Sequence, residues 1–591
     1  MSGPHEVETV FAEGHVEMLD WAGGPVLADQ DDKGVLLTGP DGTARRIDDG
    51  ADVTVFAGDE AAFLSVNRDG TTLRVVQRPL RGDQVAWEVP LEGAAARGWT
   101  PLDALPGRSV GGTRGVALVV ETATGAQGLL TASPGGTGRI HPNRWPNESP
   151  VHVDGGLNLA VTQLYDAPDR PALHVWPLEP DPEEPVEPVE RRVAGRWLDV
   201  RDGLALLDRD GRPVTWRPGT DVVTDEPRPE GELVDARFLG PGTDTVAMVV
   251  TFEGADRLVV VDRAGGALRA VPLPPGRIRV CSAHSGGVGL HLTSVVNGSV
   301  WAWLAPDGTT RTAPGEVPPL GGGAGYGHRW QGATPFHTHL PGGRPKGVVI
   351  SLHGGPEIVE RDELRYDGLY RRLLERGIAV LAVNYAGSSG YGPAHTRRAW
   401  RAWEETIRED LTACLAFAEQ KGVPRERTIL LGASFGGGLA LLGNALLPGL
   451  AGVVACSPLV DLVRHVRRMT GEDPRCRSWF ARRFGDLTAE DARAPLDPVR
   501  LAAPEGGPVL LIQGDRDPIS SLGDVQAVAR LAAERGLPWE LVVERGVGHR
   551  PVTLAQALTR HRNLMEGLEK LAGQWGHSAG TEFLVRPREA T

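Results

Sequence analysis

Thr428-Ile429-Leu430-Leu431-Gly432-Ala433-Ser434-Phe435-Gly436-Gly437-Gly438-Leu439-Ala440-Leu441-Leu442 is the stretch whose reading decides the fold. Residues 428–431 read as a buried strand and residues 439–442 as the body of a helix, with a serine flanked by glycine two positions before and two after. Small residues at those positions let a strand turn sharply into a helix. The turn leaves the Ser434 hydroxyl exposed at the strand end and aims the helix N-terminus at any anion formed beside it. A bare Gly-x-Ser-x-Gly is a weak signal; strand before and helix after make it a nucleophile elbow.

Working outward, apolar runs at residues 347–352, 378–383, 452–455, 509–512 and 540–543 join 428–431 as strands, separated by segments of helical character. Such alternation predicts βαβ units around a mainly parallel sheet, where functional groups collect beyond the carboxyl ends of the strands. A C-terminal α/β-hydrolase domain is therefore expected. A serine hydroxyl needs a base, and the base needs a carboxylate to orient it; in this fold they follow the serine in the order acid, then histidine. His549, in Gly546-Val547-Gly548-His549, is the expected base, whereas His465, His561 and His577 stand at no strand end. Two acids compete in Gln513-Gly514-Asp515-Arg516-Asp517, and spacing does not separate Asp515 from Asp517; the loser is expected to cap the loop. For the oxyanion, Leu352-His353-Gly354-Gly355-Pro356 follows a strand and supplies glycine amides able to approach closely, with the backbone N–H of Phe435 as the other donor.

The first half is written differently. Hairpin-like pieces recur with turns near Asp41-Gly42, Gly82-Asp83, Thr124-Gly125, Pro168-Asp169, Asp210-Gly211, Gly265-Gly266 and Asp307-Gly308. Their spacing is about 42 residues apart from one longer interval before Gly265, and a period of about 40 to 45 with four short strands per unit is that of a β-propeller. Seven turns predict seven blades. A pair of β-sandwiches is the competing architecture, and no WD or kelch signature decides between them. A propeller in front of an enzyme would admit small or extended molecules through its narrow channel and block folded ones. Pro and Gly gather over residues 313–323, sharpest at Pro318-Pro319, so the expected units are a propeller over residues 1–320 and a hydrolase over 321–591.

A chain of 591 residues is too long for one core, and its 78 Gly and 47 Pro point to many turns. A net charge of −14 with no basic stripe interleaved with aromatics argues against nucleic acid as a partner. The run Arg464-His465-Val466-Arg467-Arg468 reads as a solvated helix face. Met1-Ser2-Gly3-Pro4-His5-Glu6-Val7-Glu8 has neither the basic nor the apolar part of a leader, and no stretch of about 18 apolar residues occurs, so no membrane and a cytoplasmic location are expected. Cys281, Cys414, Cys456 and Cys476 have no metal-like or CxxC spacing; no disulfide, metal or cofactor is expected.

Taken together, His353-Gly354-Gly355-Pro356, Asn384-Tyr385-Ala386-Gly387-Ser388-Ser389-Gly390-Tyr391-Gly392, Gly432-Ala433-Ser434-Phe435-Gly436-Gly437, Gly514-Asp515-Arg516-Asp517 and Gly548-His549 resemble the prolyl oligopeptidase family, closest to its acylaminoacyl-peptidase and dipeptidyl-peptidase branch. That family carries an N-terminal propeller, in agreement with the repeat. The resemblance implies Asp517 as the acid of a triad with Ser434 and His549. It also implies the N–H groups of Gly355 and Phe435 as the oxyanion hole, with His353, Gly354 and Tyr385 at the substrate pocket. By the same resemblance the protein is a serine peptidase that cleaves short or N-terminally modified peptides through an acyl-enzyme, and association into a homo-oligomer is a habit of the family.

Two positions depart from the pattern. Many acylaminoacyl-peptidase-like members have an arginine two residues after the triad aspartate, where this chain has Ile519, and the arginine of the family's Asn-Tyr-Arg-Gly motif is Ala386. The first half also lacks an evident Glu-Glu pair for a free amino terminus. These departures leave room for an esterase or an acyl-transfer enzyme using the same triad on an acylated small molecule. A propeller binding scaffold with a silent hydrolase is the third expectation.

Overall fold

The computed structural model describes residues 17–573 apart from 21–24, 32–33, 48–52, 57–61, 70, 80–84, 94, 98, 106–108, 111–112, 123–126, 144–147, 154–158, 166–170, 179–190, 219, 285–286, 365–367, 473–475 and 490–493. Residues 1–8, the turns at Gly82-Asp83, Thr124-Gly125 and Pro168-Asp169, and His577 lie outside the described residues.

The N-terminal half is a β-propeller. Its four-stranded antiparallel sheets follow one another along the chain, running from Glu17–Asp20 to Ala44–Ile47, Val53–Phe56 to Val85–Pro90, Trp99–Leu105 to Arg139–Pro142, Glu148–Val153 to Arg191–Ala194, Arg196–Arg201 to Val223–Asp225, Glu232–Leu239 to Leu268–Val271, and Arg277–His284 to Thr310–Pro314. The turns Asp41-Gly42, Asp210-Gly211, Gly265-Gly266 and Asp307-Gly308 each belong to a different sheet, but not all to the same hairpin of it. Asp210-Gly211 joins the second and third strands of its sheet, whereas Gly265-Gly266 joins the third and fourth of the next. The longer interval before Gly265 is this shift by one hairpin. Asp210 and Gly211 both have positive φ, 54° and 76°, the two-residue turn that matches strand twist.

Each sheet buries its faces against its neighbours in small separate cores. Leu206, Phe238, Val246 and Met248 pack one pair of sheets, and Leu258, Leu290 and Leu292 the next. Met18 of the first sheet packs with Trp301 and Trp303 of the last, so the two ends of the series meet through side chains.

The C-terminal half is an eight-stranded sheet between two layers of helices. Its strands are β1 (Gly325–Gln331), β2 (Thr334–Leu340), β3 (Gly347–Leu352), β4 (Ile378–Val383), β5 (Thr428–Ala433), β6 (Gly452–Cys456), β7 (Val509–Gly514) and β8 (Trp539–Glu544), in the order β1-β2-β4-β3-β5-β6-β7-β8. β1 and β2 pair antiparallel, as do β2 and β4, and every other pairing is parallel. The central strands are buried throughout, which their unbroken apolar runs require. Alternate residues face opposite layers: Ile350, Leu430 and Val453 pack on α1 (Trp403–Gln420) and α2 (Phe435–Leu446), while Val349, Ile429 and Val454 pack on Leu369, Tyr370 and the C-terminal helix Leu554–Ala572. The strands expected from sequence are β3 to β8; the β1–β2 hairpin went unread because its buried residues include His337 and His339, which are polar.

Candidate active site

Ser434 stands between β5 and α2 with φ 56° and ψ −124°, a conformation that costs a non-glycine residue about 1–3 kcal/mol and persists only where surroundings enforce it. Those surroundings are glycines. A Cβ on Gly432 would lie 2.2 Å from the Gly436 carbonyl oxygen, and one on Gly436 would lie 2.2 Å from the carbonyl oxygens of both Leu352 and His353. The elbow is therefore pressed against the end of β3 with no room for a methyl group. Gly354 lies directly beside the serine, its would-be Cβ 3.2 Å from Ser434 Cβ. The N–H of Phe435, first residue of α2, has no acceptor within the helix.

Asp517 and His549 come from the loops after β7 and β8. Asp517 Oδ2 accepts the His549 Nδ1–H at 2.8 Å, and Gln513 Nε2 donates to the same oxygen at 3.1 Å. Asp517 Oδ1 takes the N–H groups of Ile519 and Ser520 at 2.8 and 2.9 Å. Burial alone would raise the Asp517 carboxyl, but the hydrogen bonds from His549, Ser520 and Ile519 outweigh it and hold the group below its ordinary value. The arrangement leaves His549 Nε2 for other work, since Nδ1 is committed to Asp517. Asp515 points elsewhere: its Oδ1 accepts the Gly546 N–H at 2.7 Å and ties the two loops together. Gly514 lets those loops touch, because a Cβ there would stand 2.3 Å from the Val547 oxygen.

The basic run in the helix Leu462–Glu472 is only partly the solvated face expected of it. Arg464 and Arg467 are exposed, but Arg468 Nη2 donates to the Ile519 oxygen at 2.6 Å and so braces the loop that carries Asp517. His465 beside it is pushed down to about 4 by burial and by Arg468. No local pattern distinguishes Arg468 from its exposed neighbours.

Two of the residues expected at the substrate pocket are almost wholly buried. His353 and Tyr385 are each only 1% exposed. Their rings stack at 4.3 Å, His353 Nε2 meets Ser388 Oγ at 2.8 Å, and the Tyr385 hydroxyl donates to the His353 oxygen at 3.0 Å. They support the loop that follows β3 from below, while Gly354 reaches the serine. Gly355, with φ 129°, follows at the turn of that loop.

Glu357 was not singled out by the sequence. Its carboxylate takes both Arg483 Nε at 2.8 Å and Arg483 Nη2 at 2.5 Å, together with Trp400 Nε1 at 2.8 Å. The Arg483 guanidinium is sandwiched between Trp479 and Trp400, 4.2 and 4.9 Å from their ring centres. This desolvated pair fastens the loop that follows β3 to the helix Arg477–Phe484. Ile358, next along the loop, and Ile519 and Val552 on the loops that carry Asp517 and His549 are exposed apolar side chains, giving the surroundings of the site an aliphatic character. Among the described residues no group of three or more His, Cys, Asp or Glu is placed to hold a metal ion.

Known proteins share this fold. Residues 366–574 match the model of the Prolyl oligopeptidase family. A stretch of 215 residues is 29% identical to dipeptidyl aminopeptidase BIII of Pseudoxanthomonas mexicana, covering 35% of this chain and 30% of that protein. Another of 242 residues is 24% identical to dipeptidyl peptidase family member 6 of Caenorhabditis elegans, covering 39% and 32%. The matches thus span about a third of the length of these curated relatives. A puromycin-hydrolyzing peptidase of Mycobacterium tuberculosis superposes with a TM-score of 0.69 at 19% identity over 99% of this chain and 97% of its own. The acylaminoacyl peptidase of Pyrococcus horikoshii does so with a TM-score of 0.72 at 13% identity over 98% of each chain. At those identities the likeness is one of fold, and it extends over the propeller as well as the hydrolase. The family match runs from before α1 to the end of the last helix, so it is the C-terminal half of this chain that is similar to the prolyl oligopeptidase family.

Proposed function

We propose that this protein is a serine peptidase that cleaves short or N-terminally modified peptides through an acyl-enzyme. The hydrogen bond between Asp517 Oδ2 and His549 Nδ1, formed at the same strand ends as the strained Ser434, carries the reading. Ser434 Oγ attacks the acyl carbon as His549 Nε2 takes its proton. Asp517, held ionised by its hydrogen bonds, orients the ring and stabilises the imidazolium. The N–H groups of Gly355 and Phe435 receive the oxyanion. The C–N bond then breaks as His549 returns the proton to the leaving amine, and water repeats the sequence to release the acid and restore Ser434.

A fluorophosphonate probe should label the parent protein and leave Ser434→Ala unlabelled; equal labelling of the two would remove Ser434 from the role. Turnover of N-acetylated and free-amino peptide anilides then separates the acylaminoacyl from the dipeptidyl or aminopeptidase form of the reading.

Ile519 supports a second reading. It is 45% exposed where a carbonyl-holding arginine would stand in many acylaminoacyl-peptidase-like members, and the Ala386 N–H is engaged by Asp410. An esterase or acyl-transfer enzyme would cleave esters and leave the anilides intact. We also infer a border at residues 320 and 321 and a ring of seven blades; the seven four-stranded sheets of the first half support that count, and the Met18 contact with Trp301 supports closure between the first and last of them.

A further inference from the structure

The oxyanion loop leaves β3 at Leu352, passes Gly355 and continues to Glu363, and its second half is held by the propeller. Arg361 Nε donates to Asp256 Oδ1 at 2.8 Å, and its Nε and Nη2 both reach Thr251 Oγ1 at 3.1 Å. Asp256 is itself fixed, accepting Thr251 Oγ1 at 2.5 Å and the Ile278 N–H at 3.0 Å, with its side chain wholly buried. One position on, Asp362 Oδ2 accepts Ser294 Oγ at 2.6 Å, its Oδ1 accepts the Val295 N–H at 2.9 Å, and its carbonyl accepts the Arg277 N–H at 3.0 Å. Glu363 pairs with the Arg277 side chain. These partners come from the last two sheets of the propeller.

The contact extends to the segment behind the loop. The Glu253 N–H of the propeller donates to the Gly390 oxygen at 3.2 Å, and the Ser389 N–H donates to the Ile358 oxygen at 3.1 Å. Gly254 is pressed so closely on the hydrolase that an added Cβ would stand 2.5 Å from the Tyr391 hydroxyl and 2.7 Å from His337 Nε2. From the hydrolase side, Asn384 holds Glu360 through both its amide atoms, and Arg483 holds Glu357. The loop is thus tethered from two sides, by Arg483 and Asn384 of the hydrolase at Glu357 and Glu360 and by the propeller at residues 361–363, with Gly355 in the span between β3 and these tethers.

We propose that Arg361 and Asp362 are positioning residues through which the propeller sets the oxyanion hole. The inference rests on the serine-hydrolase reading of Ser434. A donor amide stabilises the tetrahedral oxyanion only if it is already aimed at the place where charge develops, and Gly355, at φ 129°, has no side chain through which to fix its own backbone. The strut of Arg361 on Asp256, and the seat of Asp362 on Ser294 and Val295, supply that constraint. On this account the propeller contributes to the chemical step even for substrates too small to need a filter.

Three variants test it: Arg361→Gln and Asp256→Asn remove the ionic strut from either side, and Arg361→Lys restores the charge. With a small p-nitrophenyl ester, kcat is expected to fall about 10-fold in the first two with KM changed less than about twofold, since misplaced catalytic groups lose rate rather than binding. Affinity for a peptidyl boronic acid, which forms a tetrahedral adduct on serine, should fall in parallel, and Arg361→Lys should recover part of both. Unchanged kcat on the ester, or a faster cleavage of long peptides alone, would reduce the strut to a gate and overturn the proposal. If Arg361→Gln does not fold, Ser294→Ala removes one hydroxyl and carries the test: a kcat loss of about threefold supports it, and none overturns it. A parent that hydrolyses the ester no faster than Ser434→Ala would fail the underlying reading first, which is a different result from an active parent with indifferent variants.

Discussion

A methyl group added to Gly211, in a propeller turn, would meet nothing within 4 Å; one added to Gly436, beside Ser434, would stand 2.2 Å from two carbonyl oxygens. The first glycine is there for its backbone, at φ 76°, and the second for its lack of bulk. The propeller uses glycine to reverse direction in open space between small independent cores. The hydrolase uses it to bring separate strand ends into contact. Tolerance to change should differ accordingly: the turn answers for its own hairpin, whereas the elbow answers for every residue pressed on it.

The sharpest way to probe the crowded region is Asp517→Asn against Asp515→Asn. The first should lower kcat about 10⁴-fold, by analogy with the loss of an orienting triad carboxylate, and the second far less, since Asp515 only ties Gly546. Steady-state turnover decides between them. Next, Gly436→Ala should abolish detectable probe labelling and cost about 3 kcal/mol, because the end of β3 must move to admit the methyl; a stable, active variant would break the comparison. Arg483→Met leaves Glu357 desolvated without its partner and should cost about 3 kcal/mol in thermal unfolding, largely regained when Glu357→Gln is added.

Asp362 offers a pH test at the border of the two regions. Burial raises its carboxyl to about 6, against hydrogen bonds from Ser294 and Val295 that lower it; Glu363 adds to the rise, and His339 Nδ1 at 3.8 Å is kept neutral by its own burial. A folded value above the unfolded one means that the stabilising contribution is full below about pH 4 and is lost as pH rises through about 6. Asp362→Asn should therefore melt higher than the parent at pH 8 and gain nothing at pH 4. Smallest of all, Gly211→Ala should cost about 1 kcal/mol through its left-handed backbone and leave turnover unchanged. A catalytic defect there would break the comparison from the other side.

The parts of the molecule legible in the sequence are those whose cause is local. Strands β3 to β7 are buried on both faces and read as apolar runs, β8 at the sheet edge is only partly buried, and Gly432, Ser434 and Gly436 announce a turn whose tightness any neighbour would enforce. Asp515 and Asp517 illustrate the limit, since both sit in one loop and only side-chain direction separates them. His353 and Tyr385 were legible as members of motifs, yet their work is to hold a backbone from below. β2 hid because His337 and His339 are buried at the domain border, and Arg361 gave no signal because its partner lies 105 residues away. The propeller turns were found by their chemistry, but the hairpin each belongs to depends on pairing that spacing does not record.

The meeting of Met18 with Trp301 and Trp303 gives the ring a preferred line of parting. Among the described residues no propeller sheet shares a ladder of backbone hydrogen bonds with another, but the first and last sheets, unlike the other neighbours, do not follow one another along the chain, so separating them there exposes apolar surface without stretching a direct covalent link. The strength of that joint is set by the solvent: cold weakens apolar contact, and sulfate strengthens it. A blade resists such changes better than the joint does, because each is cross-linked by its own ladder. Strain on the propeller should therefore collect between its first and last sheets, making the ring a clasp with one fastening.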